Sequence, residues 1–329
     1  MRVANRTAVK RTVIVIGAMV AVGALVTSCG GKVSNSGGTD SKQLVLIPGV
    51  ADEPFYISMQ CGARDEAAKL GYRLDTQAPT KFDAGAQTPV LTGVVANRPA
   101  GILIAPTHAT AMAGPLEQAK DAGIKIVEVD TALQNTSVAL SSISSDNKKG
   151  GALAAATLAK LVGEKGSVLV INTKAGTSTT DERAEGFQDA IKSYSGITAL
   201  GVQYNNNEAA QAASIITATL AAHPDLAGVF ATNLSSAEGA ATGLRNANKL
   251  GQVKLVGFDA SPKQVEDLKA GTVQALIAQD PAGIGATGVD QVVAALEGKP
   301  VTRNIQTAMI AITQTDMNAN AKYFYKRTC

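Results

Sequence analysis

From Gln43 onward, short apolar runs alternate with longer stretches in which small and apolar residues return every three or four positions. That alternation predicts strands interleaved with amphipathic helices. The predicted strands are 43–48, 72–76, 101–105, 125–129, 137–143, 167–172, 199–203, 228–231, 254–257, 273–278 and 306–312. Runs such as Gly-Ile-Leu-Ile-Ala at 101–105 carry no polar alternation, so both of their faces are buried and the sheet is parallel, with helices covering it. The stretch 54–70 is a predicted helix, with Met59, Ala63, Ala67 and Leu70 at helical spacing. About ten strand–helix units are too many for one doubly wound sheet, so the pattern is divided into two α/β lobes, with the polar segment 141–150 as the first crossing between them.

The segment before Gln43 has a different character. Arg2, Arg6, Lys10 and Arg11 precede an apolar run from Val13 to Val26, and residues 30–41 are rich in Gly, Ser, Asn and Asp. This order reads as an export signal, 1–28, followed by a flexible tether, 29–42. The apolar run is too short to span a bilayer comfortably. Leu25-Val26-Thr27-Ser28-Cys29 resembles the lipobox of bacterial lipoproteins, which implies lipidation of Cys29 and anchoring to the membrane surface. Charge then changes meaning: the chain carries +3, four of its cations lie in the signal, and the remainder carries −1. A nearly neutral domain with 4% aromatics and no Trp offers no electrostatic or stacking case for nucleic acid.

Ligands of parallel α/β sheets bind beyond the carboxyl ends of the strands. In this chain those positions hold Asp52-Glu53-Pro54-Phe55-Tyr56, Pro106-Thr107-His108, Asp130-Thr131, Thr177-Ser178, Asn205-Asn206-Asn207, Thr232-Asn233, Asp259 and Gln279-Asp280, with Arg183 on a nearby helix. Carboxylates and amides exchange hydrogen bonds with hydroxyls, arginine adds charge-assisted ones, and aromatic faces cover the C–H side of a sugar ring. The set suits a neutral polyhydroxylated ligand.

At these residues the chain resembles the type I periplasmic binding proteins, in particular the ribose-binding-like group of sugar ABC transporters. The resemblance runs from Gln43 to about Ile312 and is carried by Pro54-Phe55-Tyr56, by 145–151 (SDNKKGG), 176–187 (GTSTTDERAEGF), 222–233 (AHPDLAGVFATN), 256–262 (VGFDASP) and 275–285 (ALIAQDPAGIG). It implies two similar doubly wound parallel-sheet lobes joined by a three-crossover hinge that closes on the ligand. The first lobe is 43–145 plus 279–305, the second 146–278 plus 306–316, and 317–329 is a tail. It implies ligand contacts from Glu53, Phe55, Tyr56, Asp130, Arg183, Asn233, Asp259 and Gln279, with Asn207, His108 and Thr131 as further candidates. An ABC permease is the implied membrane partner, with the protein monomeric and free of cofactor and metal. The competing role is a receptor subunit presenting its ligand to a sensor kinase or chemoreceptor. Thr131 stands where the family's ribose binders carry Arg, no aromatic lies near Asn207, and Glu53 replaces an Asn. These departures favour a smaller or acyclic polyol or a differently configured pentose.

Several positions also have plainer readings. Asp259 would cap the helix beginning at Pro262, Arg183 would pair with Glu182 or Glu185 at the surface, one of Phe55 and Tyr56 would be core, and Asn233 and Gln279 would bond loop backbone. Cys61 and Cys329 either form a disulfide that pins the tail to the first helix or are unrelated thiols. Gly283, Gly285 and Gly288 match a dinucleotide-binding spacing, but Pro281 reads as a first helical residue, which puts these glycines inside a helix. With only His108 and His223, and no nucleophile beside either, the inventory does not build an enzyme.

Overall fold

The computed structural model describes residues 42–329. The expected signal 1–28, the lipidation site Cys29 and the tether up to residue 41 lie outside them. The first lobe begins β1 (Gln43–Ile47), α1 (Pro54–Lys69), β2 (Arg73–Thr76), α2 (Ala84–Ala96), β3 (Gly101–Ile104), α3 (Ala113–Asp121), β4 (Lys125–Val129) and β5 (Ser141–Ser145). The chain then crosses into α4 (Asn147–Leu161), β6 (Gly166–Asn172), α5 (Ser178–Ile191), β7 (Ile197–Tyr204), α6 (Ala209–Ala222), β8 (Leu226–Ala231), α7 (Leu234–Asn246), β9 (Lys254–Phe258), α8 (Pro262–Lys269) and β10 (Ala275–Ala278). It returns for α9 (Pro281–Leu296) and β11 (Asn304–Thr307), and crosses a last time into β12 (Ile310–Thr313).

The two sheets have the same topology. Their strand orders are β11-β5-β4-β3-β1-β2 and β12-β10-β9-β8-β6-β7, so β4 of one lobe corresponds to β9 of the other and β5 to β10. All pairings are parallel except that β12 runs antiparallel to β10, because β12 continues β11 directly with no helix to reverse it. The central strands are buried along their length, as in β3 and β10. This is why they read as unbroken apolar runs.

Helices approach closely where glycine replaces a side chain. A Cβ on Gly285 of α9 would collide with the Met59 carbonyl oxygen of α1, and one on Gly62 of α1 with that of Ala282. Of the glycines in the dinucleotide-like spacing, Gly285 therefore serves helix packing, Gly288 lies on the sheet against Val129 and Leu103, and Gly283 lies against the Asp280 cap. On the other lobe, Gly151 of α4 lies against the Arg183 carbonyl oxygen and Gly186 of α5 against that of Lys148, which seats Arg183 deep beside the sheet.

Three details differ from the sequence reading. The strand expected at 137–143 starts at Ser141, because the Asn135 side chain accepts from Ser137 N at 3.1 Å and forms a turn there. The strand expected at 306–312 is two strands. Gln306 and Thr307 pair with Ser144 and Ser145 in the first lobe, Ile310 pairs with Ala278 in the second, and the third crossing falls at 308–309. Residues 306–307 thus belong to the first lobe and not, as expected, to the second. Leu70 is 40% exposed, since the helix ends before it can turn onto the core.

The three crossings meet at one side chain. Ser145 Oγ donates to Gln279 Oε1 at 2.8 Å and lies 3.3 Å from Thr307 Oγ1. Opposite this hinge the lobes touch. Ala109 N donates to Gly176 O at 2.9 Å, Ala132 N donates to Ser178 Oγ at 2.9 Å, and Lys174 Nζ lies 3.0 Å from Asp83 Oδ2. The cleft is closed.

Candidate functional site

Between hinge and touching lips lies a small cavity lined largely by polar side chains. It is built on corresponding positions of the two lobes. Asp130 follows β4 and donates its N–H to Ile143 O of β5 at 2.8 Å; Asp259 follows β9 and donates its N–H to Ile277 O of β10 at 2.9 Å. Both residues have left-handed backbone, with φ of 67° and 77°. That conformation is uncommon outside glycine and is tolerated best by Asp and Asn. It turns each strand end so that one carboxylate from each lobe reaches the cavity.

The two acids differ in their partners. Tyr56 OH donates to Asp130 Oδ2 at 2.9 Å. Asp259 is held more fully, accepting from Leu234 N at 3.0 Å on one oxygen, and from Gln279 Nε2 at 2.7 Å and Tyr325 OH at 3.0 Å on the other. It does not cap α8, because Ser261 does so in a complete capping box with Gln264.

Arg183 is buried, not paired at the surface; Glu185 bonds Lys148 instead. Its Nε donates to Asn147 Oδ1 at 2.8 Å and its Nη1 to Thr232 O at 2.9 Å, while the guanidinium lies 3.8 Å over the Phe258 ring. These contacts fix the plane of the guanidinium, whose Nη2 has no partner among the described residues. Asn233 caps α7 by accepting from Ser236 N at 3.0 Å and also donates to Asn207 Oδ1 at 2.7 Å.

Glu53, Phe55, Tyr56, Asp130, Thr131, Arg183, Asn207, Asn233, Asp259 and Gln279 all line the cavity. His108 does not. It sits at the rim, with its Nδ1 3.2 Å from Thr110 N and its Nε2 against Gly176 of the facing lobe. Sequence reasoning missed Phe82, Thr173, Thr179 and Thr180 in the lining. Phe82 supplies the aromatic face whose absence near Asn207 had been noted. Among the described residues the buried hydroxyls of Thr131, Thr173 and Thr177 have no hydrogen-bond partner, although buried polar groups are almost always paired. They are ready acceptors and donors for a ligand's hydroxyls.

Burial among acids keeps protons in this site. Desolvation first, then the charges of Asp259 and Asp130, push Glu53 up to about 8, and desolvation pushes Asp130 to about 6 against the pull of Arg183 and the Tyr56 hydrogen bond. At neutral pH Glu53 therefore carries an O–H that can donate to a ligand. A carboxyl with a raised folded value holds its proton over a range where the unfolded chain has lost it, so unliganded stability falls as pH rises through that range. Glu128, buried on β4, contributes likewise up to about 7. Between pH 7 and 8 the slope is expected to belong to Glu53. Thermal midpoints measured across pH 5–8 should decline for the wild type and flatten above pH 7 in Glu53→Gln; identical curves would contradict the assignment.

Residues 44–300 match the model of a family described as a periplasmic binding protein domain. The chain is 35% identical over 262 residues to the ribose import binding protein of Salmonella typhimurium, covering 78% of this chain and 86% of that one. An ABC transporter solute-binding protein from Agrobacterium vitis, solved bound with α-D-tagatopyranose, is 41% identical with a TM-score of 0.84, covering 86% of this chain and 99% of that one. A carbohydrate transporter solute-binding protein from Agrobacterium radiobacter, solved in complex with D-arabinose, is 27% identical with a TM-score of 0.81, covering 87% and 98%. These relatives are binding proteins of transport systems and not enzymes. With matched lobes, a hinge of three crossings and a closed interlobe site, the chain belongs to the type I periplasmic binding proteins, in their ribose-binding-like group.

Proposed function

We propose that the protein is an extracytoplasmic solute-binding lipoprotein of an ABC importer, closing its lobes on one small sugar, a pentose or similar monosaccharide, or a sugar alcohol. The observation that carries this reading is the pair Asp130 and Asp259, set at corresponding strand ends of the two lobes and facing one closed cavity with Arg183 and unpartnered threonine hydroxyls. A polyol satisfies these groups, whereas an apolar ligand would leave them desolvated at a cost of about 1–3 kcal/mol each. A carboxylate or phosphate ligand would meet two aspartates against one arginine. The sugars held by the related proteins fit the same chemistry, and the lipobox-like residues before Cys29 support a lipid anchor.

The test uses the full chain and Cys29→Ala, each with D-ribose, D-arabinose, D-tagatose, D-allose and ribitol. A ligand at about a hundred times its Kd stabilises by about 2.7 kcal/mol, so a clear rise in thermal midpoint with at least one of these compounds is expected in both proteins. The wild type should fractionate with membranes and Cys29→Ala with the soluble fraction. No rise with any compound would overturn the ligand class, and a fully soluble wild type would overturn the anchor.

A further inference from the structure

The tail beyond β12 turns back across both lobes and ends on α1. Tyr325 is buried within it, and its N–H donates to Ala260 O of the second lobe at 3.0 Å. Its hydroxyl donates to Asp259 Oδ1 at 3.0 Å and accepts from Gln279 N at 3.2 Å, so one oxygen joins a site carboxylate to the backbone of a hinge crossing. On the other side its ring meets Phe55 edge-on, with centroids 5.7 Å apart. Phe55 belongs to the first lobe and lines the cavity. The next residue, Lys326, donates its N–H to Ser58 Oγ of α1 at 2.7 Å, and Cys329 is joined to Cys61 of the same helix by a disulfide. Tyr325 itself is absent from the cavity lining. It stands behind two residues that line it, one from each lobe.

We propose that Tyr325 is a positioning residue for ligand capture, bridging Asp259, Phe55 and the Gln279 crossing, and that the Cys61–Cys329 disulfide holds it in that place. The proposal rests on the reading of the cavity as a sugar site. An aspartate that accepts from Leu234 N on one oxygen and from Gln279 Nε2 and Tyr325 OH on the other has one orientation open to it, and preorganised acceptors bind without the cost of ordering themselves. The disulfide adds a fourth, covalent link between lobes otherwise joined by three crossings, and it runs beside the hinge, where a tether of fixed length permits rotation.

The test is Tyr325→Phe, which keeps the ring against Phe55 and deletes only the hydroxyl. Calorimetry with D-tagatose and D-ribose is expected to show affinity lower by about tenfold or more, while amide exchange at Gln279 quickens because its acceptor is gone. Cys329→Ser is expected to weaken binding in the same direction by a smaller factor. In an Asp259→Asn background the Tyr325→Phe loss should largely vanish, since coupled residues are not additive; a general packing role would add in full. Unchanged affinity in Tyr325→Phe, or full additivity with Asp259→Asn, would overturn the proposal while leaving the sugar site standing. A wild type that binds neither sugar in calorimetry and none of the panel would remove both.

Discussion

Replacing Cys61 or Cys329 by serine is expected to cost up to about 5 kcal/mol of stability, measured as a fall in urea midpoint under non-reducing conditions. The bond closes a segment of 268 residues, and in the chain-entropy model a loop of that length removes about that much freedom from the unfolded chain. In the folded state the end of the tail loosens, so Tyr325 is held less firmly, but its other contacts persist. Tyr325 N still reaches Ala260 O, Lys326 N still reaches Ser58 Oγ, and Met317 and Tyr325 remain buried against the core. The loss therefore acts through the unfolded ensemble, so dithiothreitol on the wild type should reproduce it and should do nothing further to either variant. Equal midpoints for oxidised wild type and Cys329→Ser would show that the tail's other contacts already supply the constraint.

Much of the fold was legible because it follows from local pattern. Strands buried on both faces announce themselves as unbroken apolar runs, and their carboxyl ends locate the site before any contact is known. That is why Asp130, Asp259 and Asn233 could be named from sequence. What pattern does not carry is which sheet a strand joins. The stretch 306–312 is continuous in hydrophobicity, yet two residues at 308–309 take it from one lobe to the other. The missed lining residues have a related cause. Phe82 follows β2, an edge strand whose residues alternate between exposed and partly buried, so its carboxyl end was passed over. Thr179 and Thr180 lie within the first turn of α5, where their spacing suggests only a helix start. Asn147 and Tyr325 act through partners 36 and 66 residues away, Arg183 and Asp259, and no sequence spacing encodes such pairs.

Affinity and stability should separate when Asp130→Asn is set beside Arg183→Met. Asp130 is buried, its carboxyl is pushed up to about 6, and Tyr56 supplies its one hydrogen bond among the described residues. The charge is thus a burden on the empty protein at neutral pH. Asn keeps the shape and an acceptor for Tyr56, so unliganded stability should hold or rise, while a ligand hydroxyl that donated to a carboxylate loses about 1.5–3 kcal/mol, or roughly ten- to a hundredfold in affinity. Arg183 is different, because the fold uses it as well as the ligand. Its removal strips donors from Asn147 Oδ1 and Thr232 O, uncovers Phe258, and withdraws the cation that opposes proton retention at Asp130 and Glu53. Breaking such a buried set costs about 3–5 kcal/mol, so Arg183→Met should lose both stability and nearly all binding. Without that cation Asp130 also keeps its proton to higher pH, so any residual affinity should be weaker at pH 6 than at pH 8. Calorimetry and urea unfolding of the two variants decide the matter. If Asp130→Asn lost stability as Arg183→Met does, the Asp130 carboxylate would be part of the fold's own support and not a group held ready for the ligand.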